Sequence, residues 1–234
     1  MYRLDREING PGTLPAVEAR VQPLGSLRFS PLAMASKRTV DVVGALLFFI
    51  AFLPLFLLVI IGVRMSSPGP VIYRQHRVGR RGRSFSFYKF RSMEVDSDEL
   101  LSSFLDSNAC AKSQWDTYQK LDSDPRITPF GRFIRRTSLD ELPQMWNVLK
   151  GEMSLVGPRP CMPQQEAFYG KYWPVYCAMR PGLTGLWQVS GRNRLSYQQR
   201  VAMDVKYAQQ WSLWLDLKIM IKTIGVVVTG YGSQ

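Results

Sequence analysis

Residues 42–63 read VVGALLFFIAFLPLFLLVIIGV, a run of 22 positions without a charged side chain. One helix needs about 20 apolar residues to cross the hydrocarbon core of a bilayer. Pro54 lies near the middle of the run, where proline removes a helix hydrogen bond and favours a kink or a break. The stretch therefore predicts a membrane helix, and Pro54 predicts the membrane break within it.

The flanking charges bear on the form of that helix. Lys37 and Arg38 precede the run, Arg64 follows it, and no acid occurs between Arg64 and Met93. The positive-inside rule, applied to both flanks, keeps both on the cytoplasmic side. A re-entrant helix-break-helix over residues 36–66 satisfies this rule, whereas a plain spanning helix satisfies the length requirement. The pattern alone leaves both interpretations open.

Composition narrows the class of partner. The 234 residues carry 30 Lys and Arg against 18 Asp and Glu, a net charge of +12, so acidic partners are expected. Because the arginines cluster beside the membrane segment, anionic lipids and phosphate ligands are favoured over nucleic acid. Three scattered cysteines without a CxxC pair, and a single histidine, His76, do not predict a zinc site.

We predict an α+β fold, predominantly helical, in three segments. Residues 1–35, which are rich in proline, form a disordered leader; residues 36–66 form the membrane segment; residues 67–234 form a compact cytosolic catalytic domain. Alternation in residues 71–91 around Gly79 and Gly82 predicts a β-hairpin. Helices are expected near residues 94–121, 138–150, 163–179 and 197–228. The last is predicted to be an interfacial amphipathic helix, with its contacts at Trp211, Trp214, Leu215, Leu217, Ile219 and Met220. An ordinary helix that faces the core is the alternative interpretation.

Residues 135–144, RRTSLDELPQ, place two adjacent carboxylates, Asp140 and Glu141, behind Arg135 and Arg136. Ser138 and Glu141 also match the S-x-x-E capping box, with Ser138 as N-cap. That interpretation does not account for Asp140 or the two arginines. A carboxylate in the first turn of a helix is kept ionised by the helix dipole, which suits a metal ligand or a nucleophile that attacks phosphorus. Capping and chemistry both remain open.

Two loops rich in glycine and proline add candidate phosphate ligands. Residues 154–160, SLVGPRP, hold Arg159 between two prolines, and residues 181–192, PGLTGLWQVSGR, carry Gln188 and Arg192. A tight turn with an exposed arginine is an equally good interpretation of the first loop. The DxD triplets at 96–98 and 122–124 are predicted to be turns or helix caps. The chain contains neither a Walker A sequence nor G-x-G-x-x-G, so ATPase and dinucleotide-binding classes lack support.

Together these segments resemble the bacterial sugar transferases, the small monotopic phosphoglycosyl transferases. The resemblance covers residues 37–228 and is highly specific. Its motifs stand in the family's order at residues 37–41, 67–71, 89–93 (KFRSM), 126–128, 131, 138–144, 147–149, 154–160 and 181–192, followed by Asp204, Tyr207 and Asp216. The family commonly breaks its membrane helix at Ser-Pro; here Leu53 precedes Pro54.

The resemblance implies a reaction on the cytoplasmic face of the bacterial inner membrane. A hexose-1-phosphate passes from a UDP-sugar to undecaprenyl phosphate, UMP is released, and assembly of an exopolysaccharide, capsule or O-antigen begins. It implies that Asp140 is the nucleophile of a covalent phosphosugar intermediate, with Glu141 as its partner and Mg²⁺ on both. Arg135 and Arg159 match phosphate-binding arginines of the family, and we predict the same role for Arg136, Gln188 and Arg192.

Two other classes compete with this prediction. A DxD glycosyltransferase would transfer the sugar alone and release UDP. A membrane-tethered basic adaptor would use Asp140 and Glu141 only to cap a helix, so Asp140→Asn would preserve its function.

Overall fold

A computed structural model describes residues 29–118, 121–191 and 195–229. In chain order the elements are α1 (Pro31–Ser66), β1 (Ile72–Val78), β2 (Ser84–Phe90), α2 (Ser97–Ser107), α3 (Ala109–Tyr118), α4 (Pro129–Arg136), α5 (Gln144–Lys150), β3 (Ser154–Val156), α6 (Glu166–Tyr169), α7 (Trp173–Ala178), β4 (Gly182–Thr184), α8 (Tyr197–Gln210) and α9 (Leu213–Thr229). The predicted α+β class, mostly helical with a β-hairpin, is confirmed.

Helix α1 is long and apolar enough to cross a membrane. It stays helical through Pro54 over 36 residues, so the predicted interruption does not end the helix: the lost hydrogen bond is tolerated within one continuous element. The helix begins at Pro31 rather than at residue 36, because proline suits a first helical turn. Residues 31–35 of the predicted disordered leader are therefore helical. Residues 1–28 of that leader lie outside the described residues.

One face of α1 packs against the rest of the chain at both ends of the apolar run. The buried positions form two groups, each spaced by three or four residues: Lys37, Asp41 and Ala45 in the first, and Phe56, Val59 and Val63 in the second. Ala45 packs with Phe87 of β2, whereas Val63 packs with Phe90 and Ile134. Gly62 allows the ring of Phe130 to approach so closely that a Cβ there would overlap it. Both ends of the run therefore contact the same globular unit.

The opposite face of α1 is apolar and exposed along its length. Its exposed side chains include Val43, Leu46, Leu47, Ile50, Leu53, Leu57, Leu58 and Ile61. A continuous exposed apolar surface of this kind marks a site of interaction with a membrane or a partner.

A buried ion pair fastens α1 to three other elements. The Lys37 ammonium lies 2.6 Å from Asp216 Oδ2 in α9 and 2.9 Å from the Val156 carbonyl oxygen that ends β3. The Tyr207 hydroxyl of α8 lies 2.7 Å from Asp216 Oδ1. The Lys37 and Asp216 side chains are only 5% and 6% exposed. A buried charge without a partner lowers the stability of the folded state. The Lys37 ammonium and the Asp216 carboxylate therefore stabilise the fold only when both are present.

Two further residues of α1 hold the same region. Asp41 accepts hydrogen bonds of 2.9 Å from the Ser154 hydroxyl and the Leu155 N–H of β3. Arg38 donates to two carbonyl oxygens at the C-terminal end of α5, at 2.6 and 2.8 Å, where a cation also opposes the negative end of the helix dipole. Helix α1 is thus part of the folded core rather than an appended anchor.

Two small sheets fix the position of the loop that follows β3. Strands β1 and β2 pair antiparallel from Ile72 with Phe90 to Val78 with Ser84, which confirms the predicted hairpin. Strands β3 and β4 pair parallel. Their backbones approach so closely at Gly157 and Gly182 that a Cβ at Gly182 would overlap the Gly157 backbone. The turn after β3 is therefore confined by backbone on both sides.

Of the side chains predicted to contact the membrane interface from the last helix, only some are exposed. Trp214, at 61% exposure, and Leu217 face outward together with Leu213, Ile221 and Ile224. Ile219 is instead fully buried, and Trp211, Leu215 and Met220 pack against the core. The buried ion pair between Lys37 and Asp216 sets the rotation of α9 about its axis. The hydropathy pattern of the helix does not contain this constraint.

Asp204, in α8, is a core residue. Its Oδ2 accepts a 2.7 Å hydrogen bond from the Tyr169 hydroxyl, while Oδ1 is buried and has no hydrogen-bond partner among the residues that the structure describes. Burial raises the pKa of this carboxyl to about 8. Three residues of the resemblance, Asp204, Tyr207 and Asp216, therefore lie among packed side chains.

We predict strong energetic coupling between Lys37 and Asp216. Lys37→Met leaves a buried carboxylate uncompensated and should lower the free energy of unfolding by about 3–5 kcal/mol. Adding Asp216→Asn removes that charge too, so the double variant should be more stable than the sum of the single changes predicts, by about 1–3 kcal/mol. Denaturant unfolding in detergent micelles measures both quantities. Lys112→Met, on the exposed surface of α3, is the control, and strict additivity would contradict the coupling.

Candidate active site

The carboxylate pair lies in a short 3₁₀ turn, Leu139–Glu141, between α4 and α5. Ser138 takes a left-handed conformation with φ of 59° and makes no side-chain capping bond. The predicted capping box is therefore wrong, because this backbone does not place the hydroxyl over the following N–H groups. The α-helix begins only at Gln144, so Asp140 and Glu141 precede it.

Lys89 of β2 bridges the two acids. Its ammonium lies 2.8 Å from Glu141 Oε1 and 3.2 Å from Asp140 Oδ2. Lys89 belongs to the KFRSM motif of the resemblance but is not among the predicted site residues. A signal was available: Lys89 shares the strand face of the buried Phe85 and Phe87, and a lysine at an inward position needs a partner.

Arg159 approaches the pair from the turn after β3. Its Nη2 lies 3.5 Å from Glu141 Oε1, and its side chain is 40% exposed. The prolines on either side restrict the backbone, and the close approach at Gly157 confines it further. The structure thus brings the predicted Arg159 to the predicted carboxylates.

The environment shifts the pKa values of the two acids in opposite directions. Burial favours a raised pKa for Glu141, but the charges of Lys89 and Arg159 outweigh it and lower the pKa to about 2. Burial raises the pKa of Asp140, against the opposing charges of Lys89 and Arg135. The expected effect of a helix dipole on Asp140 is not the cause; desolvation and neighbouring charges are. Glu141 is the firmly ionised member of the pair.

The other predicted phosphate ligands divide into three groups. Arg135 is exposed and close enough for its charge to lower the pKa of Asp140. Arg136 is exposed, and no contact with the pair is observed within the described part of the chain. Gln188 donates to the Leu183 carbonyl at 3.2 Å, and its buried Oε1 has no hydrogen-bond partner within the described ranges. Arg192 lies outside the described residues.

The DxD triplets have structural roles. Asp124 accepts two hydrogen bonds from the Arg126 guanidinium, at 2.9 and 2.7 Å, and Asp98 lies in the first turn of α2. The prediction of turns and helix ends is therefore confirmed.

Asp140 and Glu141 are also the candidate ligands of a divalent cation. Across residues 29–118, 121–191 and 195–229, no group of three or more His, Cys, Asp or Glu side chains is placed to hold a metal. Asp140 and Glu141 nevertheless direct one oxygen each toward a single cation, the Lys89 ammonium. Mg²⁺ commonly takes one or two carboxylates and completes its shell with phosphate and water. The pair fits Mg²⁺ on the condition that a phosphate-bearing ligand supplies further oxygens.

The cations Lys89, Arg135 and Arg159 around two acids have the chemistry that suits an anionic ligand bearing phosphate. Comparison with known proteins agrees with that class. The chain is 51% identical to a UDP-galactose-lipid carrier transferase of Erwinia amylovora over 84% of its length, and spans 41% of that protein. It is 43% identical to the exopolysaccharide production protein ExoY of Rhizobium meliloti over the whole of both chains.

A further relative is named UDP-glucose:undecaprenyl-phosphate glucose-1-phosphate transferase, from Caulobacter vibrioides. It is 41% identical over 82% of this chain and 70% of its own. The family profile of the bacterial sugar transferases matches residues 32–230. The chain belongs to the bacterial sugar transferase family, and the predicted resemblance is confirmed. It is a membrane-associated transferase, in agreement with the long apolar helix α1.

We predict that Lys89 stabilises the fold in a pH-dependent manner. The folded pKa of Glu141, about 2, lies below its ordinary 4.5, so its contribution is complete above pH 4.5 and is lost as the pH falls toward 2. Lys89→Met removes the largest source of that shift. The variant should be less stable than the wild type by about 1–3 kcal/mol at pH 7, with a smaller deficit as the pH falls below 4.5. Unfolding in detergent between pH 3 and 8 measures this difference, with Lys112→Met, on the exposed surface of α3, as the control. A deficit independent of pH would refute the assignment.

Proposed function

We propose that the protein transfers a hexose-1-phosphate from a UDP-sugar to undecaprenyl phosphate and releases UMP. This reaction would be the first membrane step in assembly of an exopolysaccharide, capsule or O-antigen. The observation that carries the proposal is the Asp140–Glu141 pair, held by Lys89 and Arg159 in a domain built around an apolar helix. The names of the relatives, which include UDP-sugars and undecaprenyl phosphate, support the same substrates.

The chemistry proceeds in two displacements at one phosphorus atom. A carboxylate oxygen of Asp140 attacks the β-phosphorus of the UDP-sugar. The bond to the bridging oxygen breaks, and UMP leaves with the bonding electrons. An oxygen of the lipid phosphate then attacks the phosphosugar-aspartate, breaks the P–O bond to Asp140 and regenerates the carboxylate. The product is a sugar joined to the lipid through a diphosphate.

The described side chains supply what these steps require. An anionic nucleophile must approach an anionic phosphate, so cations have to offset the repulsion. Lys89 and Arg135 favour the ionised form of Asp140 against its burial. Glu141 remains ionised and holds Lys89 and Arg159 beside the reacting group. Because Glu141 is engaged by these two cations, Asp140 is the acid that we propose as the nucleophile.

We further propose that Asp140 and Glu141 hold Mg²⁺ together with oxygens of the substrate phosphates. When bound, the ion neutralises phosphate charge and polarises the phosphoryl group.

The position of α1 supports a monotopic arrangement. A helix that spans a bilayer alone is surrounded by lipid, whereas α1 packs against the globular unit at both ends of its apolar run, at Lys37–Ala45 and Phe56–Val63, and is exposed at residues 50–54 between them. We propose that both flanks lie on the cytoplasmic face of the bacterial inner membrane, in a re-entrant arrangement. The exposed faces of α1 and α9 would contact lipid, and the exposed arginines of the hairpin, such as Arg74, would contact anionic headgroups.

The reaction is tested by its nucleotide product. Wild-type protein in membranes is incubated with undecaprenyl phosphate and a panel of UDP-glucose, UDP-galactose and UDP-N-acetylhexosamines. We expect UMP in equal amounts to lipid-linked sugar with at least one donor. Release of UDP in its place would identify a glycosyltransferase that moves the sugar alone.

Asp140→Asn tests the nucleophile and separates an enzyme from an adaptor. Loss of the carboxylate should reduce UMP release by at least about 1000-fold, while the melting temperature stays close to the wild type. Asp106→Asn, which removes an exposed acid on α2, is the matched control and should keep full activity. Retained transfer in Asp140→Asn would exclude the covalent mechanism.

The membrane arrangement is tested by thiol labelling. Single cysteines replace the exposed Ala35 and Arg74 in a background with Cys110, Cys161 and Cys177 removed. A membrane-impermeant maleimide should label both positions in inside-out vesicles and neither in intact spheroplasts. Labelling of the two positions from opposite sides would establish a spanning helix and overturn the re-entrant arrangement.

A further inference from the structure

Two guanidinium groups lie against one buried indole beside the carboxylate pair. Trp187 is 6% exposed. The Arg159 Cζ lies 5.9 Å from the centroid of its ring, and the Arg200 Cζ lies 4.8 Å from it. Arg200 belongs to the first turn of α8, and its Nε donates a 3.1 Å hydrogen bond to the Leu195 carbonyl. Trp187 thus holds both cations through its aromatic ring.

Arg200 lacks an acidic partner in the described part of the chain. No carboxylate there lies within 4.0 Å of its guanidinium, whereas Arg159 reaches Glu141 at 3.5 Å. Burial lowers the pKa of Arg200, and the nearby positive charge of Arg159 lowers it further. Two like charges held together are unfavourable unless an anion offsets them. The fold therefore retains a repulsive pair at the edge of a site for anionic ligands.

The contacts form a continuous series that leads away from the acids. Lys89 contacts Glu141, Glu141 contacts Arg159, Arg159 lies over Trp187, and Arg200 lies over the same ring. At the acidic end, the positive charge of Lys89 is paired with Asp140 and Glu141, and that of Arg159 is paired with Glu141 at 3.5 Å. At the other end, the hydrogen bond observed for Arg200 among the described residues uses Nε, and no bond from its terminal nitrogens to those residues is observed. A guanidinium held against a ring is well suited to bidentate recognition of phosphate.

We propose that Arg200, supported by Trp187, binds a phosphate group of a substrate together with Arg159. This inference rests on the proposed function, because it concerns the same site. A phosphate of the nucleotide and the phosphate of the polyprenyl lipid present the same chemistry to two guanidinium groups. Kinetic measurements can distinguish these two sources.

The kinetic experiment compares Arg200→Met and Arg200→Lys with the wild type, each substrate being varied in turn. Loss of a charged phosphate contact should raise KM for one substrate by about 10- to 100-fold. Arg200→Lys should give an intermediate increase, because lysine keeps the charge but loses the planar fork. An increase for the UDP-sugar assigns Arg200 to the donor, and an increase for undecaprenyl phosphate assigns it to the acceptor. Unchanged KM values for both would overturn the proposal.

Lys206→Met is the matched control, since Lys206 is an exposed base on the same helix. It should leave both KM values within twofold of the wild type. If Arg200→Met melts below the wild type, Arg200→Lys decides the question: its KM for the same substrate should still rise at least about threefold. Melting temperatures in detergent accompany every variant.

A binding measurement separates this inference from the proposed reaction. Calorimetric titration of detergent-solubilised wild type and Arg200→Met with UMP, and separately with undecaprenyl phosphate, requires no turnover. We expect weaker binding of one ligand to the variant, by about tenfold or more. Absence of UMP production by the wild type would reject the proposed function alone. Equal affinities of the two proteins for both ligands would reject the role of Arg200, whatever the activity.

Discussion

The Lys37 ammonium is the point on which the architecture depends. One buried cation is shared by the Val156 carbonyl at the end of β3, by the Tyr207 hydroxyl of α8 and by the Asp216 carboxylate of α9. A charge in such a place is tolerated only when all its partners are present. Arg159 follows β3 by three residues, so its distance from the acids depends on where the apolar helix places its lysine. The membrane segment and the site are thus parts of one packing arrangement.

Within the site, two neighbouring acids have different roles because their surroundings differ. Glu141 meets Lys89 and Arg159 and is strongly ionised, whereas burial raises the pKa of Asp140. A pair of titratable groups whose pKa values are driven apart commonly divides the work of a reaction. Here Glu141 contacts both Lys89 and Arg159, and in the proposed reaction Asp140 is the carboxylate that reacts with phosphorus. The β-hairpin supplies Lys89, which contacts both acids, and the turn after β3 supplies Arg159, which contacts Glu141.

Much of this could be predicted from residue patterns. The charge-free run, the hairpin and the Asp140–Glu141 pair all depend on local composition and period. The capping box failed because the left-handed backbone of Ser138 and a lysine 52 residues away from Glu141 decide the local geometry. The prediction of which face of α9 points outward was incomplete for a similar reason. The rotation of this helix is set by Lys37, which is 179 residues distant in sequence from its partner Asp216. Lys89 was missed because a strand lysine is ordinarily exposed, and its inward direction appears only in alternation with phenylalanine.

The crowded backbone around Gly157 has an evolutionary consequence. A Cβ at Gly182 or Gly185 would overlap backbone atoms of Gly157, so these positions cannot accept larger residues without displacing the turn that carries Arg159. Insertions there face the same obstacle. Divergence in ligand preference at this side of the site has to proceed by exchange of side chains on a constant backbone. The backbone of this turn is therefore the constant part of this side of the site, and the side chains it carries are the part that can change.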